Sequence, residues 1–542
     1  MVAVVLVLLA TGVSSRAADA PDAAPAPDAG PRFAVSFPAT VREEPASGRL
    51  VVYLIRDGSS IHERRPPGSG PFFDDPQPMF GIDVEELAPG QEVVVDDSAT
   101  AFPTRLSRLG PGTYRVQAVL DMGRTNSSWR REAGNLYSQI TRFTIDPEKP
   151  LTEPVAITLS DRVFEPVVRP MQGVEVVDVV SESLSAFRER ETHLRAGVVL
   201  PENYDPARTY AAVYVIPGFG GDERMAFSEA NIRFAASKRD VPHKALWSNA
   251  FIIVLNPESG NGHTLFADSA NNGPVATALI KELIPALEAR YPLIKEPSAR
   301  LVTGHSSGAW SALWLSLNHP EVFGGCWASA PDPVDFRSFQ LINLYEASNW
   351  YEFDEHQNVE ELSAGLGGLP VRGEVPSYRD GANVKMTVRQ ENAMEEVIGP
   401  GNSSGQQWDS WMAVFGPRGD DGNPAALYDP ATGAINPAIV EHFKSYDIGH
   451  LLRTDPERYG RILRQNVRLL VGDKDNYFLD GAVRRLAADL ERLAPADAIG
   501  HGQGSITIVP DADHNTLLST PEADNWVIEM VNHLRAAGHI RD

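Results

Sequence analysis

Three residue types that together can perform acyl transfer occur in a meaningful order along the chain. Ser306 lies in a Gly-His-Ser-Ser-Gly motif at 304–308, Asp475 follows at a distance, and His514 comes last. A serine hydroxyl needs a base to take its proton, and that base needs a carboxylate to hold its tautomer. In folds where the serine lies on a strand–turn–helix elbow, the chain order is serine, acid, histidine. The sequence therefore predicts Ser306 as nucleophile, Asp475 as orienting acid and His514 as general base.

Two aspartates compete for the role of the acid. Asp473 and Asp475 both follow the predicted strand 467–471, and Gly472 between them and the strand permits a turn. Aspartate is also a favoured helix cap, so either residue could simply cap a helix that begins near Asp480. We favour Asp475 from its position on the loop, with Asp473 as the alternative.

The surroundings of Ser306 are those that a nucleophile elbow requires. A short apolar run at 301–303 precedes the motif and a helix-compatible stretch, 309–314, follows it. The glycines on either side leave room for a tight turn. A second Gly-x-Ser-x-Gly copy at 401–405 follows a Gly-Pro pair and runs into polar Gln406 and Gln407. We expect that copy to be a surface loop.

A tetrahedral intermediate needs two hydrogen-bond donors aimed at its oxyanion. The backbone N–H of Ser307, the residue after the nucleophile, can supply the first. The second is expected from Phe219, in the Gly-rich loop 217–221 after the predicted strand 212–216. A Gly-rich loop could instead cradle a phosphate, but this one lacks the Lys-Ser/Thr pair of a P-loop.

The elements that would position these residues alternate between strands and helices after about residue 169. Such alternation, with continuous apolar strands, predicts an α/β domain at 166–542 built on a doubly wound, mostly parallel sheet. The predicted strands are 196–200, 212–216, 251–255, 300–303, 325–328, 467–471 and 505–509. The stretch 331–464 is irregular in composition and aromatic, and we interpret it as a lid-like or pocket-wall insertion.

The region before this domain has a different pattern. Short strands between turns, with no helical period, predict an all-β, sandwich-like domain at 32–165. Its expected strands are 33–37, 50–55, 92–95, 114–119 and 154–159. No catalytic constellation stands out in it, so its role is left open between a structural part, a spacer and a ligand-binding module.

The first residues of the chain and its charge indicate where the protein acts and which partners are disfavoured. Residues 1–17 have the apolar run of a secretory signal peptide, although no basic residue precedes that run. Residues 18–31 are rich in Ala, Pro and Asp and are expected to form a flexible tether. We therefore expect a secreted or periplasmic protein with no membrane span once mature. The 542-residue chain has a formal charge of −24, which disfavours nucleic-acid binding.

With these residues in place, the chain from about Arg190 resembles the esterase D-like, enterochelin-esterase-like branch of the α/β-hydrolase superfamily. The motifs that carry the resemblance are 304–308, 319–325, 472–475, 513–514 and 266–274. The resemblance implies acyl transfer through a serine ester without a metal or organic cofactor. Pro217 departs from the pattern, since many relatives have histidine before the Gly of the oxyanion loop.

The leading hypothesis is a secreted serine esterase that acts on a small-molecule or carbohydrate-linked ester. An acyltransferase or a serine peptidase would use the same triad and differs only in acceptor or leaving group. A third hypothesis is a non-catalytic binding protein that keeps the fold as a scaffold. The sequence does not indicate the acyl group, the alcohol or the oligomeric state.

Overall fold

The computed structural model of the protein describes residues 30–123, 125–165, 170–237, 241–353, 373–496 and 503–540. The predicted signal peptide, 1–17, and most of the predicted tether, 18–29, lie outside the described residues. The described chain up to residue 162 is built on two β-sheets. The chain from residue 174 onward is built on an eight-stranded sheet with helices.

The first ten strands form the amino-terminal part of the protein. They are β1 Phe33–Ser36, β2 Ala46–Arg56, β3 Met79–Leu87, β4 Val93–Val95, β5 Thr100–Phe102, β6 Gly112–Asp121, β7 Leu136–Tyr137, β8 Thr141–Ile145, β9 Val155–Thr158 and β10 Asp161–Arg162. One sheet has the order β4-β1-β9. The other has the order β10-β7-β6-β2-β3-β5, with β8 paired to β6.

These two sheets share one core, which confirms the predicted sandwich. Phe33 and Val35 of β1 belong to the same buried cluster as Val52 of β2 and Val116 of β6. Every second side chain of a strand faces the same side, so each sheet contributes one apolar face to this core. The long strand β3 and the strand β8 were not among the predicted elements.

The remaining strands include those of the central sheet. They are β11 Val174–Val180, β12 His193–Val199, β13 Ala211–Ile216, β14 Ala250–Leu255, β15 Glu258–Ser259, β16 Gly262–His263, β17 Asp268–Ser269, β18 Gly273–Pro274, β19 Arg300–His305, β20 Gly325–Ser329, β21 Pro376–Asp380, β22 Asn383–Thr387, β23 Val467–Gly472 and β24 Ser505–Val509. The central sheet has the order β11-β12-β14-β13-β19-β20-β23-β24. Its first two pairings are antiparallel and the other five are parallel, so the fold class is confirmed.

Helices cover the central sheet and fill the insertion. They are α1 Glu182–Arg188, α2 Met225–Ser237, α3 Val241–Asn249, α4 Val275–Ala278, α5 Ile284–Arg290, α6 Ser307–Asn318, α7 Val388–Ile398, α8 Gln407–Phe415, α9 Pro437–Phe443, α10 Ile448–Thr454, α11 Pro456–Asn466, α12 Asp480–Leu493 and α13 Pro521–Ala536. A π-helical turn, Leu279–Leu283, joins α4 to α5. Within the described ranges, no helix combines the length and the apolar character that crossing a bilayer demands.

The insertion is more regular than its composition indicated. Between residues 331 and 464 the described chain forms the hairpin β21–β22 and the helices α7 to α10, and most of α11. Met386, Met394 and Val397 pack on Val51 and Tyr53, on the outer face of the larger sandwich sheet. The sandwich is therefore docked onto the insertion through an apolar contact.

The parallel strands bring the candidate residues to one edge of the sheet. The carboxyl ends of parallel strands meet at a common edge, and α/β proteins place their sites there. Ser306 follows β19 directly, Asp475 follows β23, and His514 follows β24. The loop that contains Phe219 follows β13, the neighbour of β19.

Candidate active site

Ser306 lies on a strained turn between β19 and α6. Its φ and ψ are 58° and −128°, a conformation that non-glycine residues rarely adopt, and its N–H donates to the Ser329 carbonyl oxygen at 3.0 Å. A Cβ at Gly304 would lie 2.2 Å from the Gly308 carbonyl oxygen, and one at Gly308 would lie 2.0 Å from that of Ile216. Close backbone approach therefore requires both glycines of the motif.

The structure pairs Asp475 with His514. The Oδ2 atom of Asp475 lies 2.8 Å from Nδ1 of His514, and both side chains are buried. The Tyr477 N–H donates to Oδ1 of Asp475 at 2.8 Å, and the His514 N–H donates to the Asn476 side-chain oxygen at 3.0 Å. These bonds hold the carboxylate against the imidazole nitrogen that does not face the serine in a triad.

The alternative acid lies elsewhere. Asp473 accepts a hydrogen bond from the Asp511 N–H at 2.7 Å, which ties together the loops after β23 and β24. No described contact joins Asp473 to His514. Of the two aspartates that the sequence left open, only Asp475 has the position of a triad acid.

Ser306 and His514 both line one cavity of about 280 Å³ at the sheet edge. Among the described residues, the Ser306 hydroxyl makes no hydrogen bond to the imidazole. Such bonds are commonly long in an unliganded site and tighten when the substrate binds. The imidazole itself is held between two rings, because the His305 and Tyr477 centroids lie 4.5 Å and 4.9 Å from that of His514.

The two predicted oxyanion donors lie on either side of Ser306. Phe219 lines the cavity, and Ser307 is the first residue of α6. Within the described part of the chain, neither backbone N–H donates to another residue. The first N–H groups of a helix have no intrahelical partner, so the Ser307 amide is free to bind a negatively charged oxygen.

A buried histidine that the sequence analysis missed supports the oxyanion loop. Burial lowers the pKa of His263 to about 4, so the ring is neutral. Its Nδ1 accepts the Leu265 N–H at 3.0 Å, which leaves the proton on Nε2. Nε2 then donates to the Pro217 carbonyl oxygen at 2.9 Å. His263 therefore anchors the first residue of the loop 217–221.

The sandwich also reaches this loop. Arg131, between β6 and β7, donates from Nη2 to the Gly220 carbonyl oxygen at 2.5 Å, and its Nη1 lies 3.3 Å from Asp222 Oδ2. Gln406 Nε2 donates to the Ser127 carbonyl oxygen at 3.0 Å, and Phe73 lines the cavity. The β-sandwich thus contributes to the wall of the cavity and to the support of the Phe219 loop.

Replacing Arg131 with alanine should lower kcat by about tenfold and change KM little. The loop amide is needed most when negative charge develops in the transition state, so its misplacement costs rate more than ground-state binding. Steady-state kinetics on a neutral ester measure this. Arg131→Lys should recover part of the loss, and Arg130→Ala, whose guanidinium lies over Trp129, is the matched control. Equal losses in Arg130→Ala and Arg131→Ala would refute a specific role for Arg131.

Carboxyl groups near His514 set its protonation. Burial alone would lower the pKa of His514, but the charge and the hydrogen bond of Asp475, with the charges of Asp332 and Asp513, outweigh it and raise the pKa. Asp332 follows β20, lines the cavity and accepts the Trp411 indole N–H at 2.7 Å. Asp332 was not among the site residues predicted from the sequence.

The kcat/KM for ester hydrolysis should rise with pH through an apparent pKa above about 6.5, the ordinary value for histidine. His514 can accept the serine proton only when it is neutral, and its raised pKa keeps it protonated to a higher pH. Asp332→Asn should move this limb to lower pH, because it removes a negative charge that favours the imidazolium. If the rise of kcat/KM in Asp332→Asn occurs at the same pH as in the wild type, the assignment of this rise to His514 would be contradicted.

The second Gly-x-Ser-x-Gly copy has different surroundings. It follows α7 rather than a strand, and Ser404 donates from Oγ to Asp409 Oδ2 at 2.5 Å. The expectation of a surface loop was only partly right. An apolar, buried helix, α8, begins directly after it, and Gln406 and Gln407 line the cavity.

Comparison with known proteins places part of the chain in a family. Residues 188–414 match the Esterase family, described as "Putative esterase". No curated protein matches the sequence. Among the described residues, no group of three or more His, Cys, Asp or Glu side chains has an arrangement that could hold a metal ion.

Several solved structures show a distant likeness. A fluorophosphonate-binding serine hydrolase F of Staphylococcus aureus has 13% identity and a TM-score of 0.35, over 66% of this chain and 98% of that one. An S-formylglutathione hydrolase from Agrobacterium tumefaciens has 13% identity and a TM-score of 0.35, over 68% and 98%. A ferulic acid esterase from Anaeromyces mucronatus has 12% identity and a TM-score of 0.32, over 68% and 95%.

These structural likenesses are too distant to carry an argument. The fold rests on the topology of the central sheet, and the family rests on the match at 188–414, which includes the elbow at Ser306. Residues 188–414, which include the elbow, are therefore similar to the Esterase family, and the central sheet has the topology of a doubly wound, mostly parallel α/β fold.

Proposed function

We propose that the protein hydrolyses carboxylic esters through an acyl-enzyme on Ser306. The observation that carries the proposal is the bond between Asp475 and His514, because His514 lines the same cavity as Ser306. In this proposal His514 takes the proton of the Ser306 hydroxyl as the oxygen attacks the ester carbonyl. The tetrahedral oxyanion accepts hydrogen bonds from the N–H groups of Phe219 and Ser307.

Collapse of the tetrahedral intermediate completes acylation, and deacylation then repeats the proton transfers with water. His514 gives its proton to the departing alcohol, which leaves an acyl group on Ser306. His514 then takes a proton from water, the water oxygen attacks the acyl carbonyl, and the acid departs as the proton returns to Ser306. Asp475 keeps the imidazole in one tautomer and stabilises its charged form throughout.

A burst experiment tests the covalent intermediate. With p-nitrophenyl acetate, the release of p-nitrophenol should begin with a burst equal to the enzyme concentration whenever deacylation is slower than acylation. Intact-mass measurement after rapid acid quenching should show one acetyl adduct that Ser306→Ala lacks. Turnover of the ester with an adduct on another residue would overturn the proposal.

An acyltransferase or peptidase would use the same residues, since only the acceptor or the leaving group differs. Product analysis in water with added alcohols, and with amide analogues of the ester, separates these activities from hydrolysis. Release of free acid at a rate independent of the alcohol concentration supports the esterase. Release of ester product in preference to acid supports the transferase.

We also propose that the protein acts outside the cytoplasm, as a secreted or periplasmic enzyme. The apolar run at 2–9 and the small residues that follow it support this proposal. Amino-terminal sequencing of the protein recovered from the producing cells tests it. A chain that keeps residues 1–17 and remains in the cytoplasm would contradict export.

A further inference from the structure

Three acidic side chains line the cavity beside Ser306, and the imidazoles of His305 and His514 are the basic groups of its described wall. Asp332, Glu391 and Glu395 all line it, and none of the described residues that form its wall is a lysine or an arginine. The whole chain carries a formal charge of −24, which favours the approach of cations over that of anions. A buried carboxyl group is ionised only where a hydrogen-bond donor or a positive charge stabilises it, and otherwise it remains protonated.

Glu395 has such a partner within the fold. Its two carboxyl oxygens accept the backbone N–H groups of Trp408 at 3.0 Å and Asp409 at 2.9 Å. These are free donors in the first turn of α8, so Glu395 caps that helix. Its place on the cavity wall is explained by the structure of the insertion alone.

Glu391, in contrast, caps no helix among the described residues. It lies one turn before Glu395 on α7, its side chain is only 2% exposed, and its Oε2 atom has no hydrogen-bond partner. Gln340 lines the same cavity, is 3% exposed, and has an unpartnered Oε1. Two potential donors, the Ser377 hydroxyl and the Trp408 indole N–H, lie near the Glu391 carboxyl, but neither makes a hydrogen bond of ordinary geometry with Oε2. A donor on the ligand could supply that bond to this buried acceptor.

The raised pKa values of Glu391 and Asp332 are consistent with carboxyl groups that become ionised when a cation binds beside them. Burial raises the pKa of Glu391 to about 7, although the nearby Ser377 hydroxyl and Trp408 indole favour its charged form. Burial likewise raises the pKa of Asp332 to about 6, against the effect of its bond from Trp411. An incoming positive charge would favour the ionised form of both groups.

The aromatic residues of the cavity wall also favour a cationic ligand. Phe73, Phe219, Trp411 and Tyr477 line the cavity with aromatic rings. Aromatic faces attract ammonium groups, and they do so more strongly where water is excluded. Carboxylates and aromatic rings, in a wall without lysine or arginine, form a site that complements a positive charge and disfavours an anionic ester.

We infer that the ester substrate carries a cationic group, a primary or quaternary ammonium, which binds between Glu391, Asp332 and the aromatic rings of the cavity. This inference rests on the proposed ester hydrolysis and narrows its substrate class. The ammonium group donates to, or lies against, Oε2 of Glu391, which has no hydrogen-bond partner in the free protein, and its charge is further stabilised by Asp332. It can belong to the alcohol or to the acyl half of the ester.

Two pairs of isosteric esters test the inference. They also show whether the cationic group belongs to the alcohol half or to the acyl half of the ester. Acetylcholine and neohexyl acetate differ by a charged nitrogen in place of carbon on the alcohol side. On the acyl side, p-nitrophenyl 5-(trimethylammonio)pentanoate, whose quaternary nitrogen cannot attack its own ester, is compared with p-nitrophenyl 6,6-dimethylheptanoate. In at least one pair the cationic ester should have a kcat/KM about tenfold or more above that of its neutral isostere.

Glu391→Gln should bring this ratio close to one, because it keeps the shape of the side chain and removes its charge. Asp332→Asn should lower the ratio in the same direction. Glu43→Gln, at an exposed position of the sandwich, removes the same charge from the molecule and should leave the ratio unchanged. Fluorophosphonate labelling of Ser306 in each variant shows whether the site is still folded.

A ratio of one or less in both pairs would overturn the inference, while hydrolysis of the neutral esters would still support the proposed function. A preference for a glycerol ester over both cationic esters would show that the wall recognises hydroxyl groups instead. If none of the esters is cleaved, thermal unfolding with tetramethylammonium decides. Stabilisation that Glu391→Gln removes supports the inference, and its absence in the wild type refutes it.

Discussion

Replacing Ser306 with alanine should reduce kcat/KM for any ester substrate by about ten-thousand-fold or more. The substitution removes the oxygen that is proposed to form the acyl-enzyme. Because triad residues act as a unit, the loss of one removes nearly all of the nucleophilic catalysis. The oxyanion donors and the binding cavity remain and give only a small residual rate. Initial rates with p-nitrophenyl acetate, corrected for the uncatalysed reaction, measure the effect.

The second Gly-x-Ser-x-Gly copy provides the matched control. Ser403→Ala changes the same residue type in the same five-residue pattern, on a loop that follows a helix. Its Oγ donates to the Pro400 carbonyl oxygen at 2.7 Å, which is a local turn contact. Ser403→Ala should retain most of the activity. A large loss in Ser403→Ala with a small one in Ser306→Ala would reverse the assignment of the nucleophile.

The second large effect is expected for Asp475→Asn. This substitution keeps the shape of the side chain but can donate to Nδ1 of His514, so the proton is forced onto the nitrogen that must accept the serine proton. The loss in kcat is expected to be about a thousand- to ten-thousand-fold. Kinetics near neutral pH measure this loss, and circular dichroism checks that the fold is retained.

Asp473→Asn is the matched control for the acid. Asp473 accepts the Asp511 N–H and has no described contact with His514, so its replacement should change kcat several-fold at most. The pair of variants decides between the two aspartates that the sequence left open. A severe loss in Asp473→Asn with near-normal activity in Asp475→Asn would move the role of the acid to Asp473.

The eight-stranded sheet was largely predictable because its strands are continuous apolar runs. The run at 251–255 and the one at 467–471 are fully buried, as is typical of parallel strands covered on both faces. Their ends locate the candidate residues, since loops after neighbouring parallel strands meet at one edge. This is why residues as distant as Ser306 and His514 could be assigned to one site from order alone.

Long-range contacts explain what the sequence analysis missed. Arg131 has no local pattern that connects it with Gly220, and Glu391 looks like an ordinary polar residue of an amphipathic helix. Both acquire their positions only because the sandwich docks on the insertion and the insertion closes over the sheet. Asp332 had a usable signal, because it follows β20, a neighbour of the nucleophile strand.

The sandwich contacts the helix that forms one wall of the candidate site. Its outer sheet face packs on Met394 and Val397 of α7, the helix that carries Glu391. Arg49 of β2 donates from Nε to the Val397 carbonyl oxygen at 2.9 Å. These contacts fix the helix that forms the acidic wall of the cavity, so the shape of the substrate site depends on both parts of the chain.

The most direct test of the proposed triad is to map the residue that a fluorophosphonate probe modifies. Peptide mass spectrometry of the labelled wild type should place a single adduct on Ser306, with labelling greatly slowed in Asp475→Asn and absent in Ser306→Ala. An adduct on Ser403 or on any other residue, or undiminished labelling in Ser306→Ala, would contradict the assignment of Ser306 as the nucleophile activated by His514 and Asp475.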